Sequence, residues 1–321
     1  MNNLFSRVFM VFLWLAVGFA HGAEKKISVV TTIFPPYDFA RAVGGDRVEL
    51  KMLLPPGAES HSFEPTPQDL IAIQKSDLFI YGGGESDTWV ESVLQALDGK
   101  KIKVLSMMKI VEPVPEEIVE GMQTAEGNCT LECCLQKPAQ VGDDEVEYDE
   151  HVWTSPRNAK KIAQAVGAAL GDLDPVGADY YRERTAAYAA QLDRLDADFA
   201  AVVKNGKRKV IVFGDRFPFR YFADAYGLRY FAAFPGCAAE VEASAKTVAF
   251  LIRKVRDEKI PVVFYLEMSN EKMANTIAEA AGAKKLLFHA CHNIGKKEWL
   301  SGASYLDLMR QNLINLREAL E

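Results

Sequence analysis

A stretch near the middle of the chain, "DYYRERTAAYAAQLDRLDADFAAVV" (179–203), sets the tightest limit on the fold. Its apolar positions 181, 188, 192, 195, 199 and 202 are spaced by seven, four, three, four and three residues, which puts them on one helical face. About 25 residues at 1.5 Å each would run for roughly 38 Å. That is long enough to extend down the whole molecule. On either side, apolar β-branched runs alternate with helical periods. Before it come the strand-like runs of "KISVVTT", "VELKMLLPPG", "LFIYGGG" and "KIKVLSM"; after it come "VIVFGD", "LRYFAAFPG", "PVVFYLEMS" and "KKLLFHACH". Strands that alternate with helices indicate βαβ units and a parallel sheet. The expected fold is α/β, with two lobes that each hold a mostly parallel sheet flanked by helices, joined by one long backbone helix.

The first 23 residues, "MNNLFSRVFMVFLWLAVGFAHGA", have the plan of a secretory signal: Arg7, an apolar core from Val8 to Val17, then small residues. The apolar run is shorter than the roughly 20 residues of a membrane span, and it contains no cysteine to carry a lipid. The expectation is a soluble, exported, periplasmic protein. The remaining chain divides into a first lobe over 24–156, linking helices over 157–205 and a second lobe over 206–321. Residues 112–150 interrupt the βα rhythm with twelve acidic residues against one lysine, together with Cys129, Cys133 and Cys134, and are expected to be a mobile acidic insertion. Removing the leader takes away one arginine, so the net charge of −7 becomes −8, which argues against nucleic acid as a partner and suits a cationic ligand.

Ligands of open parallel sheets bind beyond the carboxyl ends of the strands. At those ends stand His61 after the second strand, Asp215 after "VIVFG", Glu267 after "PVVFYL", and His289 with His292 after "KKLLF". His151 opens the segment that leads to the long helix. The chain has five histidines, and only His21, in the leader, lies away from a strand end or lobe boundary. Imidazoles that converge with a carboxylate make a zinc-type site. Competing catalytic motifs are missing: no HExxH, GxSxG, Walker loop or GxGxxG occurs, and "YGGGES" reads as a tight turn because it lacks the lysine of a phosphate loop.

With these residues in view, "TTIFPPYDFARAVGGDRVELKMLLPPGAESHSFEPTPQDLIAIQKSDLFIYGGGESDTWV" resembles the N-terminal lobe of the zinc/manganese solute-binding proteins of ABC transporters. Their PGxxxHxFEPTP loop carries a metal-binding histidine, here His61. "DEHVWTSPRNAKKIA" is similar to their second ligand motif and implies His151. The family's third ligand falls opposite Gly214, Asp215 or Arg216, of which Asp215 alone is a ligand type; the other reading of Asp215 is an ion pair with Arg216 or Arg220. The fourth falls at "LLFHACHN", where His289 or His292 would take it, His289 being the expected ligand and His292 the possible one; Glu267 could substitute if Asp215 points away. The resemblance implies one zinc ion, or manganese, bound between the lobes by a monomer and passed to a membrane permease with its cytoplasmic ATPase. Softer nitrogen donors favour zinc; a set with both Asp215 and Glu267 would suit manganese. Two rival readings are a zinc hydrolase using Glu267 as base and a binding protein for a tetrapyrrole or siderophore. Cys237 and Cys291 both follow second-lobe strands and could approach within the roughly 6 Å between Cα atoms of a disulfide; the alternatives are two buried thiols or a metal-binding thiolate.

Overall fold

The computed structural model describes residues 25–60, 62–96, 101–124, 127–128, 140–141, 145–238 and 243–321. The leader, His61 and the three cysteines of the insertion lie outside the described residues.

The first lobe is a parallel sheet of β1 (Ile27–Thr31), β2 (Val48–Met52), β3 (Leu78–Tyr81) and β4 (Lys103–Ser106) in the order β2-β1-β3-β4. Its helices are α1 (Phe34–Gly44), α2 (Pro67–Lys75) and α3 (Trp89–Ala96). The double proline that suggests a break after β1 instead occupies the first turn of α1. The opening N–H groups of a helix have no intrahelical acceptor, so proline costs nothing there. Helix α2 starts as its sequence indicates, with Thr66 and Asp69 closing a reciprocal capping box.

Helix α4 (Pro156–Leu173) leads into the long helix α5 (Ala178–Asn205), and all six apolar positions of the periodic face are buried. The second lobe holds β5 (Val210–Val212), α6 (Arg220–Tyr226), β6 (Arg229–Phe231), α7 (Ala245–Asp257), β7 (Val262–Tyr265), α8 (Lys272–Ala281), β8 (Lys284–Leu287) and the closing helix α9 (Tyr305–Leu320). β6 pairs with β5 and β7 with β8, all parallel, and the Phe213–Phe264 bridge joins the two pairs. The resulting order, β6-β5-β7-β8, repeats that of the first lobe. One apolar core runs through both lobes, from Ile27 and Phe39 through Leu192 and Phe199 to Phe213, Phe288 and Leu316.

The acidic insertion departs from expectation at both ends. Pro115 bridges Tyr148 antiparallel, Glu116 N–H donates to Glu147 O at 3.0 Å, and Asp149 N–H donates to Val114 O at 3.0 Å. Tyr221 of the second lobe donates to Asp149 O at 2.7 Å and accepts from Val114 N at 3.2 Å. The ends of the insertion are therefore packed structure, because their backbone groups find partners in one another and in α6.

Helices α4 and α5 are in close contact at Gly167, where an added Cβ would lie 2.0 Å from Thr185 Oγ1 and 3.1 Å from its Cβ. Gly167→Ala should force the helices apart and cost about 1–3 kcal/mol, read by thermal or urea unfolding. Thr185→Ala in the same chain should recover part of the loss.

Candidate metal centre

The segment after the insertion turns sharply at His151, which precedes a short 3₁₀ turn, Val152–Thr154. Asp149 controls that turn. Its Oδ1 accepts the His151 backbone N–H at 2.7 Å and lies 3.1 Å from His151 Nδ1. A carboxylate on Nδ1 fixes the tautomer that carries its proton there and leaves Nε2 as the nitrogen suited to a metal. His151 is fully buried, which by itself lowers its pKa, but the charges of Asp149 and Glu150 outweigh burial and the net shift is upward.

The opposite wall comes from the turn after β8. Glu267 shapes it by accepting Ala290 N–H at 2.7 Å and His292 N–H at 3.1 Å. Between those two amides Cys291 adopts a left-handed conformation, φ 61°, and this rotates His292 toward the first lobe. The His292 ring meets His151 edge-on with centroids 5.2 Å apart and lies 4.9 Å from the Trp153 ring. Its Nδ1 lies 3.2 Å from Ser60 Oγ, so this imidazole is also oriented through Nδ1. Glu150, His151 and His292 each place a possible ligand atom within 4.8 Å of the others.

His289, two residues before the left-handed turn, points elsewhere. Its Nδ1 accepts the Cys291 N–H at 2.9 Å, its Nε2 faces Glu298 at 3.8 Å, and its backbone is gripped on both sides by the Asn312 side chain. Of the two histidines left open by the sequence, the structure brings His292 to His151 and keeps His289 in the wall behind. Asp215 lines the same cleft as His151 and His292. It takes neither suggested ion pair: its oxygens accept the backbone N–H groups of Arg216 at 2.9 Å and Leu266 at 3.4 Å, while the Arg216 guanidinium faces Glu59 and that of Arg220 faces Glu117 and Asp224. Glu267, with its oxygens on two backbone amides, is placed to hold the turn. Cys237 and Cys291 are both free thiols, which corrects the disulfide expectation: Cys291 Sγ faces the His289 carbonyl, while the Cys237 backbone meets Glu116.

His61 itself is outside the described residues, but its loop is anchored. Besides Ser60, Asn293 Nδ2 donates to Pro55 O at 2.8 Å and Ala58 O at 2.7 Å, and Gly57 N–H donates to Ile294 O at 2.8 Å. The loop after β2 is thereby tied to the turn after β8.

These contacts make a cleft where sequence-distant turns present imidazole and carboxylate together. The model of the ZnuA family, described as zinc-uptake complex component A, periplasmic, matches residues 29–319. The chain belongs to that family. Among similar proteins, the zinc-binding protein AdcA of Streptococcus pyogenes is 31% identical over 92% of this chain and 56% of its own length. The chain thus spans little more than half of that relative. The high-affinity zinc uptake system protein ZnuA of Bacillus subtilis is 28% identical over 94% of this chain and 90% of its own. The crystal structure of the Zn(II)-bound ZnuA-like domain of Streptococcus pneumoniae AdcA superposes with a TM-score of 0.73 at 27% identity, covering 92% of this chain and 99% of that one. As in that family, two lobes of parallel sheet flank a long helix.

Sequence reading of this ZnuA-family chain missed the roles of Asp149 and Glu150, although "DEH" places both beside the histidine. It did recognise the glycine run. Gly83 and Gly84 have φ of 98° and 78°, and a Cβ on Gly84 would lie 2.6 Å from Glu150 Cβ, so the "YGGGES" turn leaves room for Glu150. Glu150 in turn accepts hydrogen bonds from the Ser86 backbone N–H and hydroxyl. Asp87 holds the turn by accepting from Gly83 N at 3.1 Å and Thr32 Oγ1 at 3.3 Å.

Burial, with Glu150's charge added and the Gly83 hydrogen bond opposing, lifts Asp87 from 3.8 to about 6. The folded protein then keeps a proton that the unfolded chain gives up. This contribution to stability is complete below pH 3.8 and is lost as pH rises to about 6. The loss amounts to about 3 kcal/mol at 1.36 kcal/mol per pKa unit. Asp87→Asn should remove that slope, so that urea midpoints measured between pH 4 and 7 fall less steeply than in the parent.

Proposed function

We propose that the protein captures one zinc ion in the seam between its lobes, outside the cytoplasm, and passes it to a membrane permease driven by a cytoplasmic ATPase. The observation that carries this reading is the meeting of His151 and His292 from opposite lobes, each with Nδ1 held by another side chain. With Nδ1 so anchored, Nε2 is the proposed donor of each ring, and zinc–nitrogen bonds of about 2.0–2.1 Å make such orientation necessary. His61 and Asp215 complete the proposed shell: the first by its anchored loop, the second by its place in the same cleft. The chain's membership in the ZnuA family and the zinc-binding names of its relatives point the same way. Imidazole donors favour zinc over manganese.

The apolar leader supports export, and no helix of the described residues is long and apolar enough to cross a membrane. A cleft of about 250 Å³ is smaller than the roughly 300–1,000 Å³ usual for drug-sized ligands, so a tetrapyrrole or siderophore fits it poorly. A hydrolase would need a base at the ion, and Glu267 is committed to two backbone amides. These contacts favour binding and delivery over turnover.

Metal analysis of stripped and zinc-reloaded protein tests the assignment. His151→Ala and His292→Ala should each lose the tightly held equivalent, and Asp215→Asn should weaken it more than Glu150→Gln does. Asp149→Asn should cost about 10–100-fold in affinity, the usual effect of removing a histidine's outer partner. His289→Ala should keep the ion. Loss in His289→Ala with retention in His292→Ala would overturn the proposed ligand set.

A further inference from the structure

A second cluster of metal-ligand types lies at the root of the insertion. Glu116 and Glu147 stand on its two paired ends, and Cys237 follows the short strand Phe234–Pro235 of the second lobe. One carboxylate oxygen of each glutamate and the Cys237 sulfur all lie within 4.8 Å of one another. Glu116 is 4% exposed. Its Oε1 accepts the Cys237 N–H at 3.2 Å, and its Oε2 has no hydrogen-bond partner among the described residues.

The Glu116 and Glu147 carboxylates bring an oxygen each within 4.8 Å of one another. Both are acceptors only when ionised, so their approach is favoured by a proton or a cation between them. Neither glutamate pairs with Lys or Arg among the described residues. Burial and the Asp149 charge push Glu116 upward, and burial with the Glu116 charge raises the Cys237 thiol well above its usual range. Buried acids left without a counter-charge are costly, and a divalent ion relieves that cost.

We propose that Glu116, Glu147 and Cys237 form a second cation site, which takes a zinc-type divalent ion through one thiolate and two carboxylates and fastens the insertion's root to the second lobe. Tetrahedral zinc with bonds of about 2.0–2.3 Å separates its ligands by roughly 3.3–3.8 Å. Small side-chain rotations close the cluster to that size, with water as the fourth ligand. Binding expels the thiol proton and whatever proton a glutamate of the cluster carries. Sulfur selects zinc over calcium, magnesium or manganese. The inference rests on the proposed function only for the kind of ion available, and it is read through a different atom.

The test uses the whole protein with Cys129, Cys133 and Cys134 changed to Ser, so that Cys237 and Cys291 are its only thiols. In this background with His292→Ala, added Co²⁺ should give a thiolate-to-metal charge-transfer band, and Zn²⁺ should protect Cys237 from alkylation until a chelator is added, as followed by peptide mass spectrometry. Cys237→Ser should abolish the band and remove one zinc equivalent from protein with an intact His151–His292 pair while leaving the other equivalent's affinity unchanged. Glu116→Gln, a milder change, should weaken binding at the second site at least tenfold and leave the first alone. A band that survives Cys237→Ser, or Cys237 alkylated equally with and without Zn²⁺, would overturn the proposal. Loss of binding by the histidine pair alone would instead count against the proposed function.

Discussion

The indole of Trp153 joins the two halves of this molecule. It is buried, its Nε1–H donates to Ala290 O at 2.8 Å, and its own carbonyl accepts the Tyr305 hydroxyl at 2.7 Å. Its ring also packs against both His151 and His292, with centroids 5.4 and 4.9 Å away. A single residue of the first lobe thereby fixes the backbone of the second lobe's turn, the start of α9 and the spacing of two imidazoles. Hydrogen bonds to buried polar groups have a modest net worth when made and a larger cost when left unmade. The indole therefore specifies register between the lobes more than it adds raw stability. Asp38 acts beside it by accepting the Tyr305 N–H at 2.8 Å, and Phe34 N–H reaches His292 O at 3.3 Å.

The repeated strand order explains why a clamp forms here at all. Each lobe opens its strands' carboxyl ends toward the seam, so the loop after β2, the His151 turn and the turns after β5 and β8 converge without a dedicated domain. The apolar core continues from one lobe into the other through α1, α4, α5 and α9. Opening the seam widely would expose that shared core, at about 25 cal/mol for each Å² uncovered. Adjustment of loops, such as the one tied by Asn293 and Ser60, costs far less.

How much of this was readable in advance follows from which physics acts locally. The long helix was legible because one apolar face must be buried, and every position on that face is. The start of α2 was legible because Thr66 caps the first turn's amides and Pro67, at the first helical position, has no amide hydrogen to satisfy. The strand ends, where the candidate site lies, were legible. What could not be read was the direction of side chains after β8. His289 and His292 are three residues apart, and the choice between them depends on a left-handed backbone at Cys291, a residue with no sequence preference for it. That turn is held by Glu267, from the turn after β7, through two amides. The same limit applies to the insertion: its acidic composition suggested a solvated loop, whereas long-range pairing buries Glu116 at its root.

Charge explains why so many acids are tolerated around the seam. Glu116, Asp149 and Glu150 are all buried, at 4%, 1% and 2% exposure, close to His151. Burying carboxylates is unfavourable unless protons or cations compensate them. Part of the compensation is internal: Asp149 is matched to the His151 ring and amide, and Glu150 to Ser86. The rest appears as raised proton affinity in Glu116, Glu150 and Cys237. A protein that only needed to be stable would do better with apolar residues there. If the seam takes the proposed divalent cation, binding would offset this acidic excess and stabilise the folded form in proportion to RT ln(1 + [L]/Kd).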